Sequence, residues 1–167
     1  MKTRLALIAA LAMAAAPAFA AGDATKGEKN FKQCQTCHAV INDAGEKLAG
    51  TGAKVGPNLY GVFGRVAGSY EGFKYGDSII AAGAAGLVWD EATFIAYVQD
   101  PTGFLQTRLN DKKAKGKMVY KVKKPEYAAD LYAYLSTFSP APAADGAAPT
   151  GRSDRCPAAW QTAHPPR

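Results

Sequence analysis

The chain has 167 residues, with 20 lysines and arginines against 14 aspartates and glutamates, a formal net charge of +6. No stripe of alternating basic and aromatic residues accompanies this modest basic excess, which argues against a nucleic-acid-binding protein. The length fits one domain with extensions rather than several domains.

The N-terminus has the pattern of a secretory signal peptide. Lys2 and Arg4 precede a short apolar run over 5–13, and a small-residue cleavage site follows at 18–20. The run is too short for a comfortable membrane span, so we expect no stable membrane insertion. We expect segment 1–21 to be removed after export, which leaves 18 basic and 14 acidic residues, a balance of +4.

A helix and a cysteine motif follow in the chain. Asp23 is a plausible N-cap for a helix over 24–31. The next stretch contains Cys34, Cys37 and His38, and Cys-x-x-Cys-His is typical of a c-type haem attachment site. The two thiols would add across the haem vinyl groups, and the histidine would reach the iron. Such haem is attached outside the cytoplasm in bacteria, which agrees with the signal peptide.

Other interpretations of the cysteine motif lack support. A thioredoxin-like redox pair expects a βαβ setting, and none is visible around residues 25–45. A zinc site needs two further ligands, and Cys156 and His164 both lie in the proline-rich tail. A disulfide would not require His38. Cys156 would be an odd cysteine once Cys34 and Cys37 carry haem, and its role is unexplained.

The middle of the chain predicts loops and short helices, without strands. Residues 42–74 are glycine-rich and indicate a loop, and a loop of this length is expected to wrap something functional. Asp77 or Ser78 is expected to start a short helix through 79–82, stopped by Gly83.

Two further helices are expected in the second half. Asp90 would cap a helix over 91–99, which Asp100-Pro101 would end because the residue before a proline avoids the α region. Pro125 suits the first turn of a last helix, whose apolar positions are Leu131, Leu135 and Phe138.

Elimination indicates the second iron ligand. Haem iron in proteins takes His, Met, Cys or Tyr, and a His/Met pair is typical of electron-carrying cytochromes. Met1 and Met13 would leave with the signal peptide, so Met118 is the single methionine of the mature chain. We therefore predict His38 and Met118 as axial ligands. Ligation by His164 and an open sixth position remain alternatives.

A lysine run flanks Met118. Seven lysines fall within thirteen residues with no acid among them: Lys112, Lys113, Lys115, Lys117, Lys121, Lys123 and Lys124. A charge run is often only a solvated face. Because this one surrounds the predicted ligand, we interpret it as a docking surface that steers acidic partners.

The amino-acid composition changes after Ser139. Residues 140–167 hold six of the ten prolines and show no helical period. We predict a disordered tail here. The domain itself then covers 22–139.

The mature chain resembles the class I cytochromes c, specifically the small periplasmic carriers of photosynthetic and respiratory bacteria that are close kin of mitochondrial cytochrome c. Several separated blocks carry the resemblance in the right order: Gly22-Asp23, Lys26-Gly27 and Phe31 before the haem motif, then 56–65, 72–75, 87–89, 97–101, Lys117-Met118 and 130–135. The resemblance implies an all-α cytochrome c fold, with about four to five helices and long loops wrapped around one haem c held by two thioethers. It also places Gly27 and Phe31 where the first helix crosses the last, near Leu131 and Tyr134.

The resemblance also implies roles for individual residues. The carbonyl of Pro57 would accept the second N–H of His38. Arg65, Tyr75 and Trp89 would hold the haem propionates, since all three side chains donate to carboxylates. Tyr97 would lie near the Met118 sulfur.

The resemblance implies a monomeric, soluble, periplasmic electron carrier, not an enzyme. Its donor would be a cytochrome bc complex, and its acceptor a photosynthetic reaction centre or a terminal oxidase. A haem enzyme or gas sensor is the competing class, and it would need an open sixth site at the iron.

Some positions depart from the family pattern. Gln33 stands where many relatives have a lysine, so one contact of the usual docking surface is missing. Gly116 replaces a threonine of mitochondrial forms. The loops at 42–54 and 102–116 are expected to be longer than mitochondrial ones.

Overall fold

The computed structural model describes residues 22–52 and 54–139. The predicted signal peptide, Ala53 and the predicted tail with Cys156 and His164 lie outside the described residues. The described part contains five helices and one two-stranded sheet. In chain order these are α1 (Ala24–Phe31), β1 (Ala39–Ile41), β2 (Lys47–Gly50), α2 (Asp77–Ala84), α3 (Glu91–Gln99), α4 (Pro101–Leu109) and α5 (Pro125–Ser136).

Helix α1 begins and packs as predicted. The Asp23 carboxylate accepts from two backbone N–H groups of the first turn, at 2.9 and 3.2 Å. A Cβ at Gly27 would overlap the backbone carbonyl oxygen of Asp130, so only glycine lets α1 lie this close to α5. The Phe31 and Tyr134 rings meet beside this contact with centroids 5.5 Å apart. The crossing of the first and last helices is therefore confirmed.

The expectation of no strands was wrong. Strands β1 and β2 form an antiparallel hairpin in which Ala39 lies opposite Gly50. The carboxamide oxygen of Asn42 accepts from two backbone N–H groups of the turn, at 2.9 and 3.1 Å. This side chain closes the hairpin locally. Strands of three and four residues are too short to give a periodic signal in sequence.

Helix α2 has its N-cap one residue before Asp77, the earlier of the two predicted starting residues. The N-cap is Gly76, and Asp77 is already helical, where its charge favours the helix dipole. The helix passes Gly83 and ends at Ala84. A Cβ at Gly83 would overlap the carbonyl oxygen of Ala67, so this glycine permits close packing instead of stopping the helix.

Helix α3 follows the prediction, but the expected loop over 102–116 was partly wrong. Asp90 and Thr93 form a capping box at the start of α3, and the helix ends at Gln99. Helix α4 then begins at Pro101, with the Asp100 carboxylate accepting from the backbone N–H of the third residue at 3.2 Å. A residue in a first helical turn needs no partner for its N–H, so Pro101 suits the start of α4. The same proline disfavours the α conformation at Asp100, so α3 ends before that residue.

Two apolar clusters form the core. The larger lies among α1, α3 and α5, and its buried members are Phe31, Val40, Phe94, Ile95, Val98, Val122, Ala128, Ala129, Leu131 and Leu135. The smaller lies against α2 and α4, and its buried members are Ala67, Ile79, Ala82, Leu87, Leu105 and Ala114. None of the helices in the described ranges is long and apolar enough for a membrane crossing.

Candidate haem site

One cavity of about 240 Å³ collects the predicted site residues. Side chains from the larger core cluster form much of its wall, including Phe31, Phe94, Val98, Leu131 and Leu135. The predicted attachment, ligand and supporting residues all line it: Cys34, Cys37, His38, Pro57, Arg65, Tyr75, Trp89, Tyr97 and Met118. Residues spread over more than eighty positions of sequence thus meet around a single apolar space.

The cysteine motif continues from α1 as a tight turn. The backbone N–H of Cys34 donates to the carbonyl of Phe31 at 2.8 Å, and that of His38 donates to the carbonyl of Cys34 at 2.9 Å. The turn carries both thiols and the imidazole to one wall of the cavity. Burial, together with the neighbouring Cys37, raises the pKa of the Cys34 thiol to about 11. Before haem attachment this group is therefore a neutral thiol at neutral pH.

His38 has its ring fixed by the loop after the hairpin. Nδ1 lies 2.9 Å from the backbone carbonyl oxygen of Pro57. A carbonyl only accepts, so Nδ1 carries the proton and Nε2 keeps a free lone pair for a metal. Burial lowers the pKa of His38, and the Pro57 hydrogen bond opposes this effect. The predicted Pro57 contact is present in the structure.

Met118 lies in an irregular segment that is held at both ends. On its N-terminal side, the Lys117 ammonium donates to the carbonyl of Lys74 at 2.8 Å. On its C-terminal side, the backbone N–H of Val122 donates to the carbonyl of Val98 at 2.8 Å. The half-buried Met118 packs against the larger core cluster and lines the same cavity as His38. Its thioether is thus available to a group bound in the cavity.

The predicted propionate partners form a polar corner of the cavity. The Arg65 guanidinium donates to the carbonyl of Asn58 at 3.1 Å and also to the carbonyl of Tyr60. Burial lowers the pKa of Arg65, and it raises the pKa of Tyr75 against the opposing effect of the arginine. A partly buried guanidinium with no acidic partner among the described residues suits an incoming carboxylate.

Tyr97 lines the same cavity and belongs to an aromatic cluster. Its ring is edge-on to Trp89 with centroids 4.9 Å apart, and edge-on to Phe104 at 5.8 Å. Burial raises the pKa of Tyr97 to about 12. The phenol is therefore neutral and remains a hydrogen-bond donor in the physiological range.

Sequence reasoning missed two residues that build this site. The Asn58 carboxamide accepts from the Ile41 backbone N–H at 2.9 Å and donates to the Ile41 carbonyl at 2.7 Å, which joins the Pro57 loop to β1. The Tyr70 ring lies under the Arg65 guanidinium, 4.9 Å from its centroid. An asparagine directly after the Gly-Pro pair was a usable signal, whereas nothing in the sequence indicated Tyr70.

The seven predicted docking lysines are not equivalent. Lys117 lines the cavity and donates to a backbone carbonyl. Lys121 pairs with Asp100 at 2.8 Å, and Lys124 pairs with Glu126 at 3.8 Å. The remaining four make no ion pair with any residue of the described ranges: Lys112, Lys113, Lys115 and Lys123.

The residues around the cavity fit a covalently attached haem. Two thiols, an imidazole with one free nitrogen and a thioether face an apolar space, with cationic and phenolic donors at one corner. A zinc site fits poorly, because the described residues contain no group of three or more His, Cys, Asp or Glu side chains able to hold a metal ion.

Comparisons with known proteins agree with this chemistry. No family model matches the chain. Cytochrome c2 of Rhodovulum adriaticum is 60% identical over 116 residues, which is 70% of this chain and 92% of that protein. Cytochrome c2 of Cereibacter sphaeroides is 54% identical over 132 residues, covering 78% and 91%.

Solved structures give the same result for the fold. The crystal structure of cytochrome c2 from Rhodobacter sphaeroides is 52% identical in sequence, with a TM-score of 0.70. The match covers 72% of this chain and 99% of that one. Ferric cytochrome c-550 from Paracoccus versutus is 46% identical with a TM-score of 0.67, covering 71% and 99%. The predicted fold class and the predicted haem are thereby confirmed. The chain belongs to the class I cytochrome c family, whose members are electron carriers with one covalently bound haem c.

Proposed function

We propose that this chain is a monomeric periplasmic carrier of single electrons, with haem held by Cys34 and Cys37 and its iron bound by His38 and Met118. The donor would be a cytochrome bc complex, and the acceptor a photosynthetic reaction centre or a terminal oxidase. The observation that carries the proposal is one apolar cavity lined by both cysteines, the imidazole and the thioether.

The bound haem would supply a one-electron couple at its iron. The residues of the chain would influence that couple by holding the two iron ligands in place. The Pro57 carbonyl holds the His38 ring in one tautomer and orientation. Tethers on both sides of Met118 hold its sulfur toward the cavity. Two ligands that stay in place would keep the geometry alike in both oxidation states, and a thioether ligand raises the potential.

The surrounding side chains control polarity. Phe94, Val98 and Leu135 exclude water from the cavity wall. Arg65 and Tyr75 would balance the negative charge of the propionates at the polar corner. Because the two axial positions would be filled, no substrate would bind at the iron.

The N-terminal sequence pattern supports export. We propose that segment 1–21 is cleaved in the periplasm and that 140–167 is an appended tail beyond the domain at 22–139. N-terminal sequencing of protein released from the periplasm tests this. An intact Met1 in that material would contradict it.

Replacing Met118 tests the axial ligand. Met118→Ala should abolish the far-red Met–iron absorption band, produce high-spin ferric iron and lower the midpoint potential, because a thioether favours the ferrous state. Optical and redox titrations measure these changes.

Val119→Ala is the matched control, because Val119 is the next residue and is 90% exposed. It should retain the band and the potential. A high-spin ferric wild-type protein, or prompt binding of CO by the native ferrous form, would contradict the proposal and favour a haem enzyme or gas sensor.

A further inference from the structure

A hydrogen bond joins two exposed residues on different segments of the cavity lining. The Tyr120 hydroxyl donates to the side-chain carbonyl of Gln33 at 2.6 Å, across 87 positions of sequence. Both residues line the cavity and both are exposed. Gln33 directly precedes Cys34, and Tyr120 lies two residues after Met118. The bond therefore joins the segment with the attachment cysteine to the segment with the thioether.

This contact is the only hydrogen bond between residues 118–121 and residues 32–38 in the described ranges. The other hydrogen bonds that hold the Met118 segment, from Lys117 to Lys74 and from Val122 to Val98, do not involve the cysteine motif. Packing does not fix the segment at this point, because Val119 is 90% exposed and Tyr120 is 41% exposed. Local opening of the segment toward solvent must therefore break the bond between Tyr120 and Gln33.

We propose that the Tyr120–Gln33 hydrogen bond is a latch that positions Met118 by restraining local opening of its segment. The proposal rests on the proposed function, because Met118 must be the axial ligand for the latch to act on the iron. It gives a role to Gln33, which directly precedes Cys34. The latch does not touch the iron and acts only through Met118.

Imidazole binding to the ferric holoprotein measures this opening. At the iron of the holoprotein, imidazole would replace Met118: one sulfur–iron bond would break and one nitrogen–iron bond would form, with no change of oxidation state. Tyr120→Phe and Gln33→Met each remove one side of the latch and keep most of the side-chain volume. Each should tighten imidazole binding about two- to tenfold, the range expected for one net hydrogen bond.

The double variant and a control separate the latch from general destabilisation. If the two residues act as a pair, Tyr120→Phe combined with Gln33→Met should bind imidazole no more tightly than either single variant. Gln33→Glu keeps an acceptor for the hydroxyl and should bind imidazole no more tightly than wild type. Tyr127→Phe is the control, since Tyr127 is 42% exposed and its hydroxyl makes no hydrogen bond with a described residue. It should leave the dissociation constant unchanged.

The outcomes are distinguishable. Absence of the far-red band in the wild type would overturn the axial role of Met118 and the latch together. A normal band with unchanged imidazole binding in Tyr120→Phe and Gln33→Met would overturn the latch alone. So would a lower free energy of unfolding without tighter imidazole binding, because that pattern indicates a merely structural contact. Additive effects in the double variant would also overturn it.

Discussion

At the scale of single residues, the orientation of His38 depends on two backbone neighbours. The Pro57 carbonyl fixes which ring nitrogen carries the proton. Gly56 leaves room for the ring, because a Cβ there would overlap the His38 imidazole. The backbone N–H of Gly56 also donates to the carbonyl of Cys37 at 2.7 Å. Two hydrogen bonds, one from Gly56 to Cys37 and one from His38 to Pro57, therefore join this loop to the cysteine motif.

Gly56→Ala should displace the His38 ring and weaken its bond to Pro57. Gly56 has no positive φ, so the cost comes from overlap with the ring. We expect the free energy of unfolding of the holoprotein to fall by about 1–3 kcal/mol, as for overpacking in a core. Denaturant titration measures this loss.

Gly76→Ala is the control for that loss. Its φ is −87°, and its nearest neighbour is the flexible Lys117 side chain at 3.3 Å. We expect a change below about 1 kcal/mol, since only an N-cap preference is altered. Equal losses in the two variants would contradict a specific role for Gly56.

The sequence indicated candidate attachment residues and ligands more readily than the residues that support them. The prediction of Cys34, Cys37 and His38 rests on one local motif and that of Met118 on elimination, and the structure places all four around one cavity. Tyr70 under the Arg65 guanidinium could not be found, because that contact depends on how an irregular glycine-rich loop folds back. The partners of Arg65 are backbone carbonyls, which no residue pattern reveals.

At the scale of elements, Asp100 connects three parts of the molecule. It lies between α3 and α4, accepts from the backbone N–H of Gly103 at 3.2 Å, and pairs with the Lys121 ammonium at 2.8 Å. The Lys121 hydrogen bond is the largest cause of a lowered pKa at Asp100, followed by the Gly103 N–H. A helix cap is thereby coupled to the segment after Met118.

Lys121→Gln should raise the pKa of Asp100 toward its ordinary value. A carboxyl with a lowered pKa in the folded state stabilises the fold above its unfolded pKa, and this contribution is lost as pH falls through the folded value. Lys121→Gln should therefore be less stable than wild type at about pH 7 and should approach it below about pH 3. NMR titration of Asp100 and denaturant unfolding at both pH values check this.

Lys123→Gln removes the same charge and is the control, since Lys123 has no ion pair within the described residues. A stability difference of equal size at both pH values in Lys121→Gln would rule out the Asp100 linkage.

Helices were predicted correctly where a clear capping residue or proline marks the start. One helix was missed where the same residue flanks two helices. Asp23, Asp90 and Pro125 gave correct starts for α1, α3 and α5. Helix α4 was missed because Asp100-Pro101 is both a stop and a start, and only the first function was recognised. The hairpin was missed because its strands are short and its turn depends on the Asn42 side chain.

At the scale of the whole molecule, charge near the cavity is less uniform than the sequence suggests. Of the seven lysines in 112–124, two have acidic partners and Lys117 is held by a carbonyl. Long-range attraction of an acidic partner depends mainly on charges that are not already neutralised nearby. A carbonyl does not neutralise an ammonium, so we expect the five lysines without an acidic partner among the described residues to contribute most to docking: Lys112, Lys113, Lys115, Lys117 and Lys123.

Charge reversal tests whether the lysine run is the docking surface for the proposed partners. Lys113→Glu and Lys115→Glu should each slow association with purified reaction centres or oxidase about threefold or more at low salt, and should weaken the dependence of the rate on ionic strength. Lys47→Glu, an exposed position in β2 that does not line the cavity, changes net charge by the same amount. Stopped-flow rates across ionic strength compare the three variants. An equal effect at all three sites would mean that net charge alone steers the encounter, whereas a larger effect at Lys113 and Lys115 would locate the interface beside the segment that bears Met118.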